Sequence, residues 1–276
     1  MDPKLYIIAT PLGNADDITR RALKIFEKVS VFFAEDTREL KKLLAIYGVP
    51  FPDKEIRSMS THNLEEATEL ALKRLSEGRS VGLVCDRGTP GISDPGTLLV
   101  RRAHERGFQV EPIPGASSVT TAASVSGISS NRFTFLGFLP TETRERAELL
   151  EGVLRTGLPF LFFESPRRIR EGVELLRGIC PNARVFVGRE MTKQFQSYTL
   201  KDLKDWAPED LPELGEYVVF VEPRLERGMT DWMADVHLRV ASEKEWSKVI
   251  AKSHGVSASD VYNALHELRR KSTDQT

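Results

Sequence analysis

Residues 85–96 read Cys-Asp-Arg-Gly-Thr-Pro-Gly-Ile-Ser-Asp-Pro-Gly, so three glycines, two prolines and two aspartates fall within twelve positions directly after a strand-like run. A plain crossover needs only a few loop residues. This density suits a backbone shaped around a ligand, with Asp86 or Asp94 available to a hydroxyl, an ammonium or a sulfonium. Five other segments also follow strand-like runs. Ala-Thr-Pro-Leu-Gly-Asn at 9–14 brings Pro11 and Gly13, a turn that lets backbone approach a ligand closely. Ala-Glu-Asp-Thr-Arg at 34–38 allows two readings: Asp36 or Thr37 caps a helix, or Glu35, Asp36 and Arg38 project into a cleft. Ile-Pro-Gly-Ala-Ser-Ser at 113–118 offers Ser117 as a helix cap or as a ligand contact. Glu-Ser-Pro-Arg-Arg at 164–168 and Arg-Glu-Met-Thr-Lys at 189–193 bring Arg167, Arg168, Arg170, Arg189 and Lys193, the makings of a local phosphate-binding patch. His62, before Asn63 at a helix start, reads as a cap neighbour or a catalyst.

Other chemistries find no foothold. The dinucleotide fingerprint and the nucleotide phosphate loop are both missing, no Gly-x-Ser-x-Gly elbow occurs, and the five histidines and two cysteines show no metal-ligand spacing. No metal is expected.

The elements that must hold these loops alternate. Residues 5–9, 29–34, 81–85 and 110–113 read as buried strands, and 18–27, 39–47, 64–76 and 98–106 carry helical spacing. Such alternation predicts a mostly parallel sheet covered by helices, with ligands at the strand C-termini. After the Gly/Ser-rich stretch 115–130, a second set has strands at 133–136, 159–163, 184–187 and 217–222, with helices at 144–154, 169–177 and 201–206. Residues 243–253 and 257–270 then read as helix, turn, helix, with Ser257 as a cap. The expected division is an α/β domain over 1–117, a second over 118–226 and a small helical unit over 229–276.

A formal net charge of −1 over 276 residues disfavours a broad nucleic-acid surface and leaves room for a local patch. Two cysteines make no disulfide framework, and no run is long and apolar enough for a membrane span or a secretory signal, so a cytoplasmic protein with no membrane partner is expected.

These motifs, with Gly-Phe-Leu-Pro at 137–140, occur in an order and spacing that resembles the ribosomal RNA cytidine 2′-O-methyltransferases of the tetrapyrrole-methylase superfamily, over about residues 4–222. The resemblance implies a homodimer that binds S-adenosyl-L-methionine between the two α/β domains and acts on ribosomal RNA or the small ribosomal subunit. Pro11, Gly13, Asp86, Gly88, Thr89, Ile92, Asp94, Ser117 and Ser118 would then surround the cofactor. Glu35, Arg38, His62, Glu164, Arg167 and Arg168 would face the substrate, and Asp36, Glu190 and Lys193 would serve catalysis. Transfer to a hydroxyl is an in-line displacement aided by a proton acceptor. The expectation is that Glu190 or Asp36 takes that proton while Lys193, Arg167 and Arg168 hold phosphates. The sequence departs from the family pattern where Cys85 and Arg87 replace a serine and an alanine, where Arg167 replaces a histidine, and in the segment before His62. A corrin-precursor methyltransferase and a non-catalytic nucleic-acid adaptor are the alternatives.

Overall fold

In the first sheet, short apolar runs form β1 (Lys4–Ile8), β2 (Val31–Ala34), β3 (Glu55–Ser58), β4 (Val81–Val84) and β5 (Gln109–Ile113). They lie in the order β3-β2-β4-β1-β5, every pair parallel. The computed structural model describes residues 2–128, 131–224, 247–248 and 257–263. All residues of β2 and β4 are buried, as befits strands covered on both faces. On one face Leu5, Phe33 and Leu83 pack against α3 (Leu64–Ser76) and α4 (Thr97–Glu105) through Leu72, Leu75 and Leu99. On the other, Tyr6, Ile8 and Phe32 meet Ala22 and Phe26 of α1 (Arg20–Lys28) and Leu40 and Leu44 of α2 (Thr37–Ile46). The two helices start on side-chain caps: Thr19 accepts from the Ala22 amide and Asp36 from the Arg38 amide. Because β4 lies between β2 and β1, the loops after these three strands emerge side by side.

The second sheet differs in its pairing. After α5 (Ser118–Val125), β6 (Thr134–Phe138) runs parallel to β7 (Phe160–Glu164), with α6 (Thr143–Leu154) and α7 (Ile169–Ile179) in the connections. Then β8 (Arg184–Arg189), β9 (Ser197–Asp202) and β10 (Tyr217–Glu222) pair antiparallel, giving the order β6-β7-β10-β8-β9. Leu161, Phe186 and Phe220 pack with Ala122 of α5 in its core.

Two sequence readings change. The helix expected at 201–206 is the end of β9 followed by a single 3-10 turn over Leu203–Asp205. The three-residue spacing of Leu200, Leu203 and Trp206 imitates a helix, but the ladder from β8 runs through Lys201 and Asp202. The strand β3 is new, an edge strand of Glu-Ile-Arg-Ser with one apolar residue. Both sheets belong to one compact unit, Met1–Pro223, and Arg224–Thr276 forms another. In the latter, Ser257 leads a helical stretch and accepts from the Ser259 amide at 3.2 Å. Most of the expected 243–270 pair lies outside the described residues.

Candidate active site

The loops leaving β1 and β4 are joined by backbone. The Thr10 amide donates to the Gly88 carbonyl at 2.8 Å and the Gly88 amide to the Thr10 carbonyl at 3.1 Å. The Thr89 hydroxyl ties the β4 loop to the Ala116 carbonyl at 2.9 Å, and the Asp36 amide donates to Asp86 Oδ1 at 2.9 Å. Four strand-end loops are thereby fixed around one cleft of about 720 Å³. Glu35, Asp36, Asp86, Ile92, Asp94 and Ser118 line it from the first sheet and α5, and Phe138, Phe163, Glu164, Met191 and Glu216 from the second sheet.

Its acids repel one another. Burial, then Asp86, pushes the Glu35 carboxyl up, and burial raises Asp86 against the pull of the Asp36 amide. Asp94 rises furthest, to about 6, through burial and the charges of Glu35 and Asp86, although the Cys85 thiol hydrogen-bonds it. Burial and Asp94 push the Cys85 thiol up in turn. Such a cluster stabilises a cation placed among its carboxylates, and a ligand of that charge would restore their ordinary acidity.

Asp36 behaves otherwise. Its carboxylate caps α2 and pairs with Arg38 at 2.6 Å, which holds its pKa at about 2. A group so weakly basic accepts a proton poorly near neutrality, so Asp36 both caps the helix and lines the cleft as a charged carboxylate. Arg38 makes that pair while its own side chain stays largely exposed. Ser117 stands at the α5 cap position without a side-chain cap bond. Pro11, Gly13, Gly88, Thr89 and Ser117 shape the walls without lining the space, and His62 lies exposed in the turn before α3.

The expected phosphate patch is largely consumed inside the chain. Arg168 donates to Glu164 Oε1 at 2.8 Å, to Ser165 Oγ, and to the carbonyls of Leu139 and Pro140. Glu164 is fully buried, and its Oε2 has no hydrogen-bond partner among the described residues. The buried Arg146 braces the same turn through the carbonyls of Pro140 and Thr141. That turn follows Phe138, which remains 58% exposed while its ring meets Phe163 edge-on at 5.4 Å. Arg170 is bound to Glu213 and the Leu211 carbonyl, and Arg189 to the Leu214 carbonyl. Arg167 is exposed and, alone of the five, has no hydrogen-bond or ion-pair partner among the described residues.

Lys193 and Glu190 pair at 2.8 Å, and Lys193 reaches Glu216 at 2.9 Å. Burial pushes Glu190 up, but Lys193 and the Glu216 amide outweigh it and hold the carboxyl below its usual value. Two glycines make room. A Cβ on Gly13 would lie 2.2 Å from Lys193 Cγ, and one on Gly215, where φ is +95°, 2.6 Å from Glu190 Cγ. Glu216 escaped the sequence reading because nothing local marks it, except the glycine that precedes it. Met191, Phe163 and Tyr217 were missed as cleft walls because they look like ordinary core.

A family model, Tetrapyrrole (Corrin/Porphyrin) Methylases, matches residues 4–207. The chain belongs to the tetrapyrrole methylase family. This methylase is 36% identical to the ribosomal RNA small subunit methyltransferase I of Haemophilus influenzae, over 94% of each chain. The proteins of that name from Mesorhizobium japonicum and Halalkalibacterium halodurans are 37% and 35% identical, covering 98% and 95% of this chain and 93% and 94% of theirs. Two solved methyltransferases share the fold at 19% identity and a TM-score of 0.58. A cobalt precorrin-4 methyltransferase of cobalamin biosynthesis covers 79% of this chain and 94% of its own, and CobJ covers 81% and 97%. The methylase is thus a methyltransferase, an enzyme that requires a methyl donor. Among its described residues no His, Cys, Asp or Glu cluster is placed to hold a metal, and no helix is long and apolar enough to cross a membrane.

Proposed function

We propose that this methylase transfers a methyl group from S-adenosyl-L-methionine to the 2′-hydroxyl of a cytidine ribose in small-subunit ribosomal RNA. The observation that carries the substrate class is near full-length likeness to relatives named for methylating that RNA. The donor fits the cleft on three counts. A volume of about 720 Å³ is in the range of cofactor sites. Burial first, and neighbouring carboxylates second, push Glu35, Asp86 and Asp94 above their ordinary range, which suits a sulfonium and an ammonium. Leu12, Ile92 and Met191 give an apolar wall.

Bound there, the donor supplies a methyl group activated by its sulfonium. The chain contributes alignment: the Thr10–Gly88 bridge and the Thr89–Ala116 tie fix the loops, and Pro11, Gly13, Ser117 and Ser118 complete their path. Positioning of this kind supplies roughly 7–11 kcal/mol in favourable cases. We assign the hydroxyl's proton to Glu35, which lines the cleft and is pushed upward, in preference to Asp36 or Glu190, both held below their usual values. Lys193 and Arg167 serve the RNA backbone, while Arg168 positions Glu164. A ribosomal substrate supports a cytoplasmic enzyme. The family resemblance supports a homodimer, which light scattering tests.

The test is transfer of labelled methyl from the donor to small subunits and free ribosomal RNA from a strain lacking the enzyme. Label in one alkali-resistant dinucleotide is expected. Donor binding without label in either RNA would overturn the substrate, and an absorbance titration with a corrin precursor would then decide for the alternative.

A further inference from the structure

Glu216 uses both carboxylate oxygens on cations that come from different sheets. Arg87, in the loop after β4, donates through Nη1 to Glu216 Oε1 at 2.9 Å, and Lys193, in the loop after β8, donates to Oε2 at 2.9 Å. Lys193 also binds Glu190 Oε1 at 2.8 Å, and the same oxygen accepts from the Glu216 amide at 2.8 Å. Two cations and two carboxylates therefore balance. The carboxylates are not equivalent: the Glu190 side chain is 19% exposed and holds backbone, whereas the Glu216 side chain is 66% exposed. Arg87 and Glu216 both line the cleft.

We propose that Arg87 and Lys193 form an oxyanion site for a substrate phosphodiester, and that the Glu216 carboxylate occupies it until the phosphodiester displaces it. A phosphodiester carries the same single charge and can accept from both donors, so the exchange keeps the site neutral. Glu190 stays, because its half-buried carboxylate is needed by Lys193 and by the Glu216 amide. Glu216 itself stands largely in solvent, which screens its two pairs, so displacement costs little. Gly13 keeps Lys193 within reach of both carboxylates, since a Cβ there would collide with its stem. Arg87 is one of the positions where the chain departs from its family's pattern, so this contact belongs to the present sequence and not to a shared motif. The substrate class rests on the proposed function; the site itself requires only an anionic ligand.

The experiment compares the wild-type chain with Glu216→Gln and Arg87→Gln for binding of free small-subunit ribosomal RNA across a salt series, with donor affinity and thermal unfolding as checks on folding. Glu216→Gln is expected to bind RNA about 2- to 10-fold tighter at low salt, because the internal competitor is gone. Arg87→Gln is expected to bind more weakly, with the slope of log affinity against log salt reduced by about one. Equal or weaker RNA binding by a folded Glu216→Gln would overturn the proposal, making Glu216 a strut between the sheets. If that variant does not fold, Arg87→Gln decides, and an unchanged salt slope would overturn it. Wild-type chain that methylates no RNA, with Glu216→Gln still binding RNA more tightly, would sink the substrate reading and leave the site. Methylation with no gain in Glu216→Gln would do the reverse.

Discussion

Behind β2 and β4, burial and then neighbouring carboxylates push Glu35, Asp86 and Asp94 toward protonation, whereas behind β7 and β8 nearly every charge already has an opposite partner. The same cleft is thus underneutralised on one wall and internally neutralised on the other. An underneutralised carboxylate cluster stores affinity for a cation, since the incoming charge relieves the repulsion. A buried pair such as Glu164–Arg168 stores little affinity for anything else, because parting it would strand a charge in the interior. The acids of the first sheet therefore read as recognition, and most of the basic residues of the second as construction.

Breaking the constructed wall should give the largest effect. Arg168→Ala leaves Glu164 buried without its cation and is expected to destabilise the chain by about 3–5 kcal/mol, visible in denaturant unfolding. Unfolding indistinguishable from wild type would mean that Arg168 serves ligand after all. Next comes the recognition wall. Asp94→Asn is expected to weaken binding of the cationic donor about tenfold or more, measured by calorimetry, with little loss of stability. The wild-type pH profile sharpens the point. Ionising Asp94 in the folded chain is opposed by burial and by its neighbours, so stability of the ligand-free protein falls as pH rises from about 4 to 6. Donor affinity runs the other way, rising through about pH 6 as Asp94 gains its charge and levelling above it. A flat affinity profile would remove Asp94 from the site. Gly13→Ala should cost about 1–3 kcal/mol in transfer to RNA by pushing Lys193 off its partners, with donor affinity less affected. Smallest is Arg167→Ala, the exposed member of the patch: stability unchanged and the salt slope of RNA binding lowered by about one.

The sequence determined the alternation of strands and helices in the first sheet, because its strands are continuous apolar runs and its loops are dense in glycine and proline. It also marked the loop after β4 as a cleft wall, since glycine and proline are dense over 85–96 and all three glycines there take positive φ. It did not determine β3 or β9. Both are edge strands with exposed positions, and in β9 the spacing of Leu200, Leu203 and Trp206 carries a helical period that only the ladder from β8 overrides. Nor did it determine which charges are free. Arginines at 168, 170 and 189 look alike as letters, yet backbone carbonyls at 139, 140, 211 and 214 claim them once the second sheet closes. Local patterns report burial and turns because those depend on near neighbours. Charge pairing over 129 residues, as between Arg87 and Glu216, depends on how the two sheets meet, and only the tertiary structure decided it.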